Sequence, residues 1–227
     1  AHIPAYIGAF DESLLDRRDE HGLTLRDAAT RAGLDVAKVN QDHRSFANVT
    51  GYVEVHIEQG PVLLNEGHPL GVVTAIAGAS RYLVSVSGEA GHAGTVPMPA
   101  RRDALAAAAE MALAVEAVAN AQSAALVATV GKFQVDHPAA NVIPGKVEFS
   151  IDLRSGDDGV RRAAESTLIA RIKSIAANRN VSVSLSPYHD SRAVPCDPLL
   201  MEKIGAAIAA CGLPVRRLPS GAGHDAM

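Results

Sequence analysis

Two cysteines in 227 residues, Cys196 and Cys211, make neither a disulfide framework nor a C-x-x-C metal site. Cys211 fits a helix face and Cys196 sits beside a proline in a turn, so reduced thiols and a cytoplasmic location are expected. No basic block accompanies the net charge of -4, which argues against nucleic acid or an anionic membrane as partner. Long hydrophobic runs are missing too. The longest charge-free stretch, 117–131, is interrupted by Asn, Gln and Ser and is too short to span a bilayer. No secretory signal pattern, repeat or low-complexity segment stands in these residues. What is there is 48% hydrophobic and 20% charged, an ordinary globular composition with apolar residues for one or two cores. The sequence opens on Ala1 and stops at Met227 inside a motif, so it reads as a piece of a longer protein.

The stretch Gly51-Tyr52-Val53-Glu54-Val55-His56-Ile57-Glu58-Gln59-Gly60 organises the rest. At period two, Val53, Val55 and Ile57 share one face and Glu54, His56 and Glu58 the other, which predicts a strand stopped by Gly60-Pro61. A strand ending on His, Glu and Gln puts ligand-type groups at a sheet's rim, where sites in α/β proteins commonly lie. A neutral imidazole suits a borderline divalent metal such as zinc, and a nearby carboxylate suits general-base work. A half-buried strand with a solvated polar face satisfies the same pattern, and one histidine is not a metal site.

Before this stretch the chain is polar and partly helical, with Thr24 as a cap and Gly33 as a stop. His2, His21 and His43 have no ligand spacing and read as surface histidines. After it, 62–66 suggests a helical turn and 71–76 an apolar strand. Tyr82, Val84 and Val86 mark the next strand, and 99–120 is a helix with Leu105, Ala108, Met111 and Val115 on one face. A strand over 126–135 breaks at Gly131, and Val147, Phe149, Ile151 and Leu153 alternate in another. Asp157 or Asp158 caps a helix, and 181–185 closes the set as β-α-β-β-α-β, the split plan of a two-layer ferredoxin-like domain. Pro187 to Pro195 leads out, and Asp197-Pro198 starts a last helix that ends at Gly212. The expected fold is α/β: a discontinuous domain of 1–77 and 190–227, with an inserted α+β lid over 78–189.

Small residues surround His92 in Gly88-Glu89-Ala90-Gly91-His92-Ala93-Gly94-Thr95, which suits an imidazole donating to a polarised carbonyl oxygen. A turn histidine fits as well. Arg154, ending its strand on the polar face, could clamp a carboxylate with two parallel bonds, or simply pair with Asp152 or Asp157. Asn141 opens a connection containing Pro144-Gly145, where asparagine is common for turn reasons alone. The run 221–226 also fits a G-x-G-x-x-A dinucleotide fingerprint. However, 216–219 makes a poor buried strand and no βαβ unit follows. Ser220 lacks the glycine two places earlier that a nucleophile elbow needs. Backbone N–H groups lining a pocket remain the better reading of Ser220 to Gly223.

Taken together, the stretch at 51–60, the His92 segment, Asn141-Val142-Ile143-Pro144-Gly145, Asp152-Leu153-Arg154-Ser155 and Ser220-Gly221-Ala222-Gly223-His224-Asp225 resemble one family. It is the amidase (hydantoinase/carbamoylase) branch of the dinuclear-metal M20 peptidases, which includes N-carbamoyl-L-amino-acid hydrolases, allantoate amidohydrolases and β-ureidopropionases. The resemblance implies a metal-dependent hydrolase of ureido or amide C–N bonds in small carboxylate substrates, with two divalent ions, zinc or manganese. It makes His56 a metal ligand and His92 and Asn141 catalytic. Gln59, Arg81, His92, Asn141, Arg154 and the run Ser220, Gly221, Ala222, Gly223 and His224 would contact substrate. It further implies a homodimer through the lid, whose residues serve the neighbouring subunit. The family's other metal ligands and its catalytic Glu match nothing here, and Glu54 and Glu58 are not assigned to those places. A dipeptidase-like or aminoacylase-like enzyme, and a non-catalytic dimerisation or ligand-binding module, stay open as alternatives.

Overall fold

The computed structural model describes residues 10–41, 48–122 and 126–227; His2 and His43 lie outside the described residues. The chain divides into two units, Ala1–His56 with His224–Ala226, and Ile57–Gly223 with Met227.

The first unit is made of short, capped pieces. Asp11 accepts from the Ser13 amide to start a 3-10 turn over Glu12–Asp16. Helix α1 (Leu25–Arg31) opens on a reciprocal capping box between Thr24 and Asp27, and Gly33 stops it at φ 78° as the sequence predicts. The strand expected over 51–60 does not form. No ladder among the described residues includes 51–60, and Val53, Val55 and Ile57 are 58%, 94% and 76% exposed. Alternation permits a strand, but a strand exists only where a neighbouring backbone takes up its N–H and C=O groups.

In the second unit the strands are β1 (Gly71–Ile76), β2 (Gly78–Ser87), β3 (Gly91–His92), β4 (Leu126–Thr129) and β5 (Phe133–Val135). They continue as β6 (Val142–Ile143), β7 (Lys146–Ser155), β8 (Ser182–Ser191), β9 (Val194–Pro195) and β10 (Arg216–Ser220). Its helices are α2 (Val62–Glu66), α3 (Ala104–Ala121), α4 (Asp158–Asn178) and α5 (Pro198–Ala210).

A small sheet runs β10-β1-β9, with β10 parallel and β9 antiparallel to β1, and α5 packs on β1. Segment 216–219 is not buried, yet it is a strand. It lies at the edge, where Pro219 breaks no central ladder, and Arg216 and Arg217 pair with Glu66 and Glu202.

The larger sheet runs β4-β7-β2-β8, all antiparallel, with β5 also on β7. β7 buries Val147, Phe149, Ile151 and Leu153 and leaves Ser150, Asp152 and Arg154 half-buried on the other face. Helices α3 and α4 cover the buried face with Met111 and Val115, and with Leu168 and Ile172. Each such side chain, fully buried, contributes roughly 1.5–3 kcal/mol. Helix α3 is long and apolar enough to cross a bilayer, but Ala104, Ala107, Ala108 and Met111 are fully buried in this core.

Two boundaries differ from expectation. α3 starts at Ala104, after a separate 3-10 turn at Met98–Ala100, because Asp103 captures the Leu105 and Ala106 amides at 2.9 and 3.0 Å. β8 continues through Pro187 to Ser191, since it is an edge strand whose register shifts opposite Arg81 and Tyr82. Gly78 marks the start of β2, where a Cβ would stand 2.5 Å from the Ala193 nitrogen and 2.8 Å from Asp158 Oδ1.

Arg161 of α4 is fully buried and ties that helix to the sheet. It donates to Ser80 of β2, to Asp158 at 2.7 Å and to Asp190 of β8 at 3.0 Å. Arg162 bonds Asp190 as well, and with Arg161 it holds that carboxyl below its ordinary value against the opposing effect of burial. Beside them, burial and a bond to Glu165 push the Tyr82 phenol up to about 12.

Arg161→Met should lower the unfolding free energy by about 3 kcal/mol, the low end for breaking a buried pair. Asp158 keeps the Ala193 amide and Asp190 keeps Arg162, which limits the loss. Asp158 and Asp190 both titrate below their ordinary values, so the stabilisation they carry is complete above about pH 4 and is lost as pH falls through their folded values. Denaturant titrations should therefore show a gap between wild type and variant that narrows below about pH 4; a gap constant with pH would contradict this.

Candidate functional site

In the first unit, Glu54, His56 and His224 converge. Their ligand atoms all lie within 4.8 Å of one another, and the two imidazole rings meet edge-on with centroids 4.7 Å apart. His224 Nδ1 stands 3.7 Å from Glu54 Oε1, with 11% and 25% of those side chains exposed, while His56 is exposed. Burial raises the pKa of the Tyr52 phenol, helped by the negative charges of Glu54 and Asp225 and a bond to Glu54. Two imidazoles and a carboxylate form a donor set that a divalent cation of the zinc class takes. Glu58 serves elsewhere. Its two oxygens accept from the Val62 and Leu63 amides at 2.7 and 2.9 Å and cap α2. Gln59, next in line, holds a left-handed backbone at φ 54°, uncommon for a residue with a Cβ.

In the second unit, the antiparallel register of β2 and β7 sets Arg81 opposite Asp152. Arg154 Nε and Nη2 grip the two Asp152 oxygens at 2.9 and 2.7 Å, and Arg81 Nε reaches one of them at 3.1 Å. Partial burial raises the Asp152 pKa, but the bonds and charges of Arg154 and Arg81 outweigh it and hold the carboxyl below its ordinary value. The remaining Arg154 donor, Nη1, bonds the Gly221 carbonyl at 2.8 Å. That joins the end of β7 to the loop after β10, where the Ala222 amide donates to Ser220 Oγ at 3.3 Å. The simpler alternative for Arg154, pairing with Asp152, is thus present, and the same contacts fix its fork beside the Ser220–Gly223 run.

His92 and Asn141 are brought together by the small β3–β6 sheet. His92 pairs with Val142, and the Ala93 amide donates to the Asn141 carbonyl at 2.9 Å. Gly88 lets the loop before β3 pass close to Arg102, whose carbonyl oxygen a Cβ there would meet at 1.9 Å. The Gly94 amide donates to His92 Nδ1 at 3.0 Å, so the neutral ring carries its proton on Nε2, the tautomer that can donate outward.

The sequence offered Asp152 only as an alternative partner of Arg154, beside Asp157, and did not single out Glu54 as a partner of His224. A signal existed for Glu54, which shares its face with His56 at spacing two. None existed for the approach of His224, which is remote in the chain.

The class of protein follows from this fold and these groups. Residues 74–180 match the M20 peptidase dimerisation domain, and along nearly its whole length the chain is similar to hydantoinase/carbamoylase amidases. It is 39% identical to an allantoate deiminase from Arabidopsis thaliana, over 98% of this chain and 48% of that protein. It is 38% identical to an N-carbamoyl-L-amino acid amidohydrolase from Geobacillus stearothermophilus, over 97% of this chain and 54% of that one. Among solved structures, a hydantoinase/carbamoylase family amidase from Burkholderia multivorans superposes with a TM-score of 0.88 at 33% identity, over 99% of this chain and 54% of that one. The chain spans about half the length of the curated relatives it matches.

Nitrogen-resolved NMR of His92 at a pH where the ring is neutral should show the Nε2–H tautomer. A dominant Nδ1–H form would contradict the Gly94 contact and remove the outward donor.

Proposed function

We propose that this chain is part of a metal-dependent amidohydrolase that cleaves the ureido or amide C–N bond of a small carboxylate substrate: an N-carbamoyl-L-amino acid, allantoate or ureidopropionate. The observation that carries the reading is the cation-type donor cluster around His56, in a chain similar along nearly its whole length to an allantoate deiminase and an N-carbamoyl-L-amino acid amidohydrolase. Such substrates share an anionic end and a ureido carbonyl. A site for them must hold the first and polarise the second.

Arg81 and Arg154 face one carboxylate, Asp152, so one positive charge of the three groups is left for a substrate carboxylate. Asp152 keeps the Arg154 fork from wandering, and the Ser220–Gly223 backbone and Gln59 offer neutral polar groups. His92 donates Nε2–H to the carbonyl oxygen as charge grows there, and the Asn141 amide adds a second donor. His56 is the metal ligand assigned by family resemblance. Two divalent ions, zinc or manganese, supply Lewis acidity when bound and lower the pKa of water to about 7 in favourable cases.

Residues 78–189 act in this reading as an inserted ferredoxin-like lid, and 1–77 with 190–227 as part of the catalytic domain. Support comes from the strand order β4-β7-β2-β8 with two helices on one face, and from the separate sheet that holds β1, β9 and β10. The lid also forms a homodimer. The match to a peptidase dimerisation domain supports this, as do the exposed Leu113 of α3, Val127 of β4 and Phe133 of β5. A cytoplasmic location accords with free Cys196 and Cys211.

The full-length protein, assayed on N-carbamoyl amino acids, allantoate, ureidopropionate, acyl amino acids and dipeptides, should release ammonia from a ureido acid in a metal-dependent way. Arg154→Lys should lower kcat/KM for it by roughly 2–5 kcal/mol, the scale for breaking a desolvated charge pair, and by less for an analogue with an amidated carboxylate. Turnover of dipeptides or acyl amino acids alone would assign the enzyme to the peptide-cleaving side of the family, and no turnover at all would make it a binding module.

A further inference from the structure

Arg101 has no part in the reaction described above, yet it grips the loop that carries His92. Its neighbour Arg102 works at the surface, bonding the Asn180 carbonyl at 2.7 Å and standing 3.8 Å from Glu89. Arg101 is half-buried and pairs with no carboxylate among the described residues. Its guanidinium spans a single loop instead. Nη2 donates to the Ala93 carbonyl at 2.6 Å and Nε to the Val96 carbonyl at 3.1 Å. Bonds from a cation are roughly twice as strong as those between neutral groups, and no nearby carboxylate competes for this one.

The Ala93 carbonyl matters because of what shares its peptide plane. The C=O and the following N–H of a trans peptide are coplanar and point opposite ways, so fixing the Ala93 oxygen fixes the direction of the Gly94 N–H. That N–H donates to His92 Nδ1 at 3.0 Å. The other side of Ala93 is held too, since its amide donates to the Asn141 carbonyl at 2.9 Å. The loop also closes on His92 itself, whose carbonyl accepts from the Thr95 and Val96 amides, each at 3.2 Å. Gly94 lets the ring approach, because a Cβ there would stand 3.2 Å from His92 Cε1 and 3.4 Å from Nδ1. A line of bonds therefore runs from the guanidinium through one peptide to Nδ1 and ends at the Nε2–H of an exposed ring. Linked hydrogen bonds polarise one another. Positive charge on the Ala93 oxygen makes the Gly94 N–H a stronger donor, and a stronger donor at Nδ1 keeps the ring proton on Nε2.

We propose that Arg101 is a positioning residue for His92. Through the peptide between Ala93 and Gly94 it sets the tautomer and the aim of the imidazole that donates to the substrate carbonyl. The kinetic consequence rests on the amidohydrolase reading; the control of the His92 tautomer does not.

Nitrogen-15 labelling at histidine in the full-length protein reads the tautomer directly, at a pH where the ring is neutral. Wild type should show the Nε2–H form. Arg101→Met keeps the aliphatic stem and removes the donors, so an Nδ1–H population should appear at His92 while His189 of β8 stays unchanged. Arg101→Gln, a milder change that also removes the charge, should move in the same direction and serves if Arg101→Met does not fold. Arg101→Lys retains the charge and a donor and should keep most of the Nε2–H form. On a ureido acid that the wild type turns over, Arg101→Met should lower kcat about tenfold with KM within about twofold, since Arg154 still holds the carboxylate. That is less than the roughly 100–1000-fold cost of deleting an oxyanion donor outright. Added to His92→Gln, the same change should cost nothing more, because Arg101 acts only through that ring. A wild-type tautomer in both Arg101→Met and Arg101→Gln would overturn the proposal, and so would losses that multiply in the double variant. A wild type that hydrolyses no ureido acid would sink the amidohydrolase reading, and the tautomer measurement would still decide this one.

Discussion

The antiparallel ladder between β2 and β7, unbroken from Gly78 opposite Ser155 to Ser87 opposite Lys146, is the constraint on which the second unit depends. Its two faces do different work. Inward, Val84, Val86, Phe149, Ile151 and Leu153 make the sheet's share of the core under α3 and α4. Outward, Arg81, Asp152 and Arg154 make a charged group whose geometry the register alone sets. A slip by one residue would turn Asp152 and Arg154 into the core and Phe149 into water. The apolar face therefore secures the placement of the polar one. Burial of several large side chains, each contributing a few kcal/mol, outweighs any preference of the charged group itself.

Two arginines of this unit show how burial separates structure from chemistry. Arg161 is fully buried, with its donors taken by Ser80, Asp158 and Asp190, and it locks α4 onto β2 and β8. Arg154 is also held by its partners, but 30% of its side chain stays exposed and those partners include a loop carbonyl. A guanidinium that is fixed yet reachable can exchange or share contacts with an arriving carboxylate; one sealed inside cannot. The same distinction applies to the two glutamates of the 51–60 stretch. Glu58 is spent on the amides of α2, and Glu54 stands beside two imidazoles.

Much of the larger sheet was legible in the sequence because local signals there agree with tertiary ones. Alternation in β7, the Gly131 break between β4 and β5, and the caps at Asp157 and Asp197 all appear where the sequence put them. Errors came where a strand's state depends on its neighbours. The 51–60 stretch alternates well but has no ladder partner among the described residues, and 216–219, a poor buried strand by its sequence, is indeed unburied yet pairs in parallel with β1 at an edge. Pro187 misled for the same reason, since proline ends a central strand but is tolerated at an edge. For the site, the sequence carried the residue types, while the meeting of His224 with Glu54 and His56, and of Arg154 with Gly221, comes only from the fold.

The central claim is that His56 and the lid group of His92, Asn141 and Arg154 serve one reaction, with the lid acting on the metal residues of a second copy. Subunit complementation tests it most directly. Full-length protein carrying His56→Ala is mixed with full-length protein carrying His92→Ala, with different tags to demonstrate exchange. Each homodimer should be nearly inactive. Random reassortment makes about half the dimers mixed, and each mixed dimer pairs one intact metal half with one intact lid, so roughly a quarter of wild-type activity should return. Demonstrated exchange with no recovered activity would contradict the account.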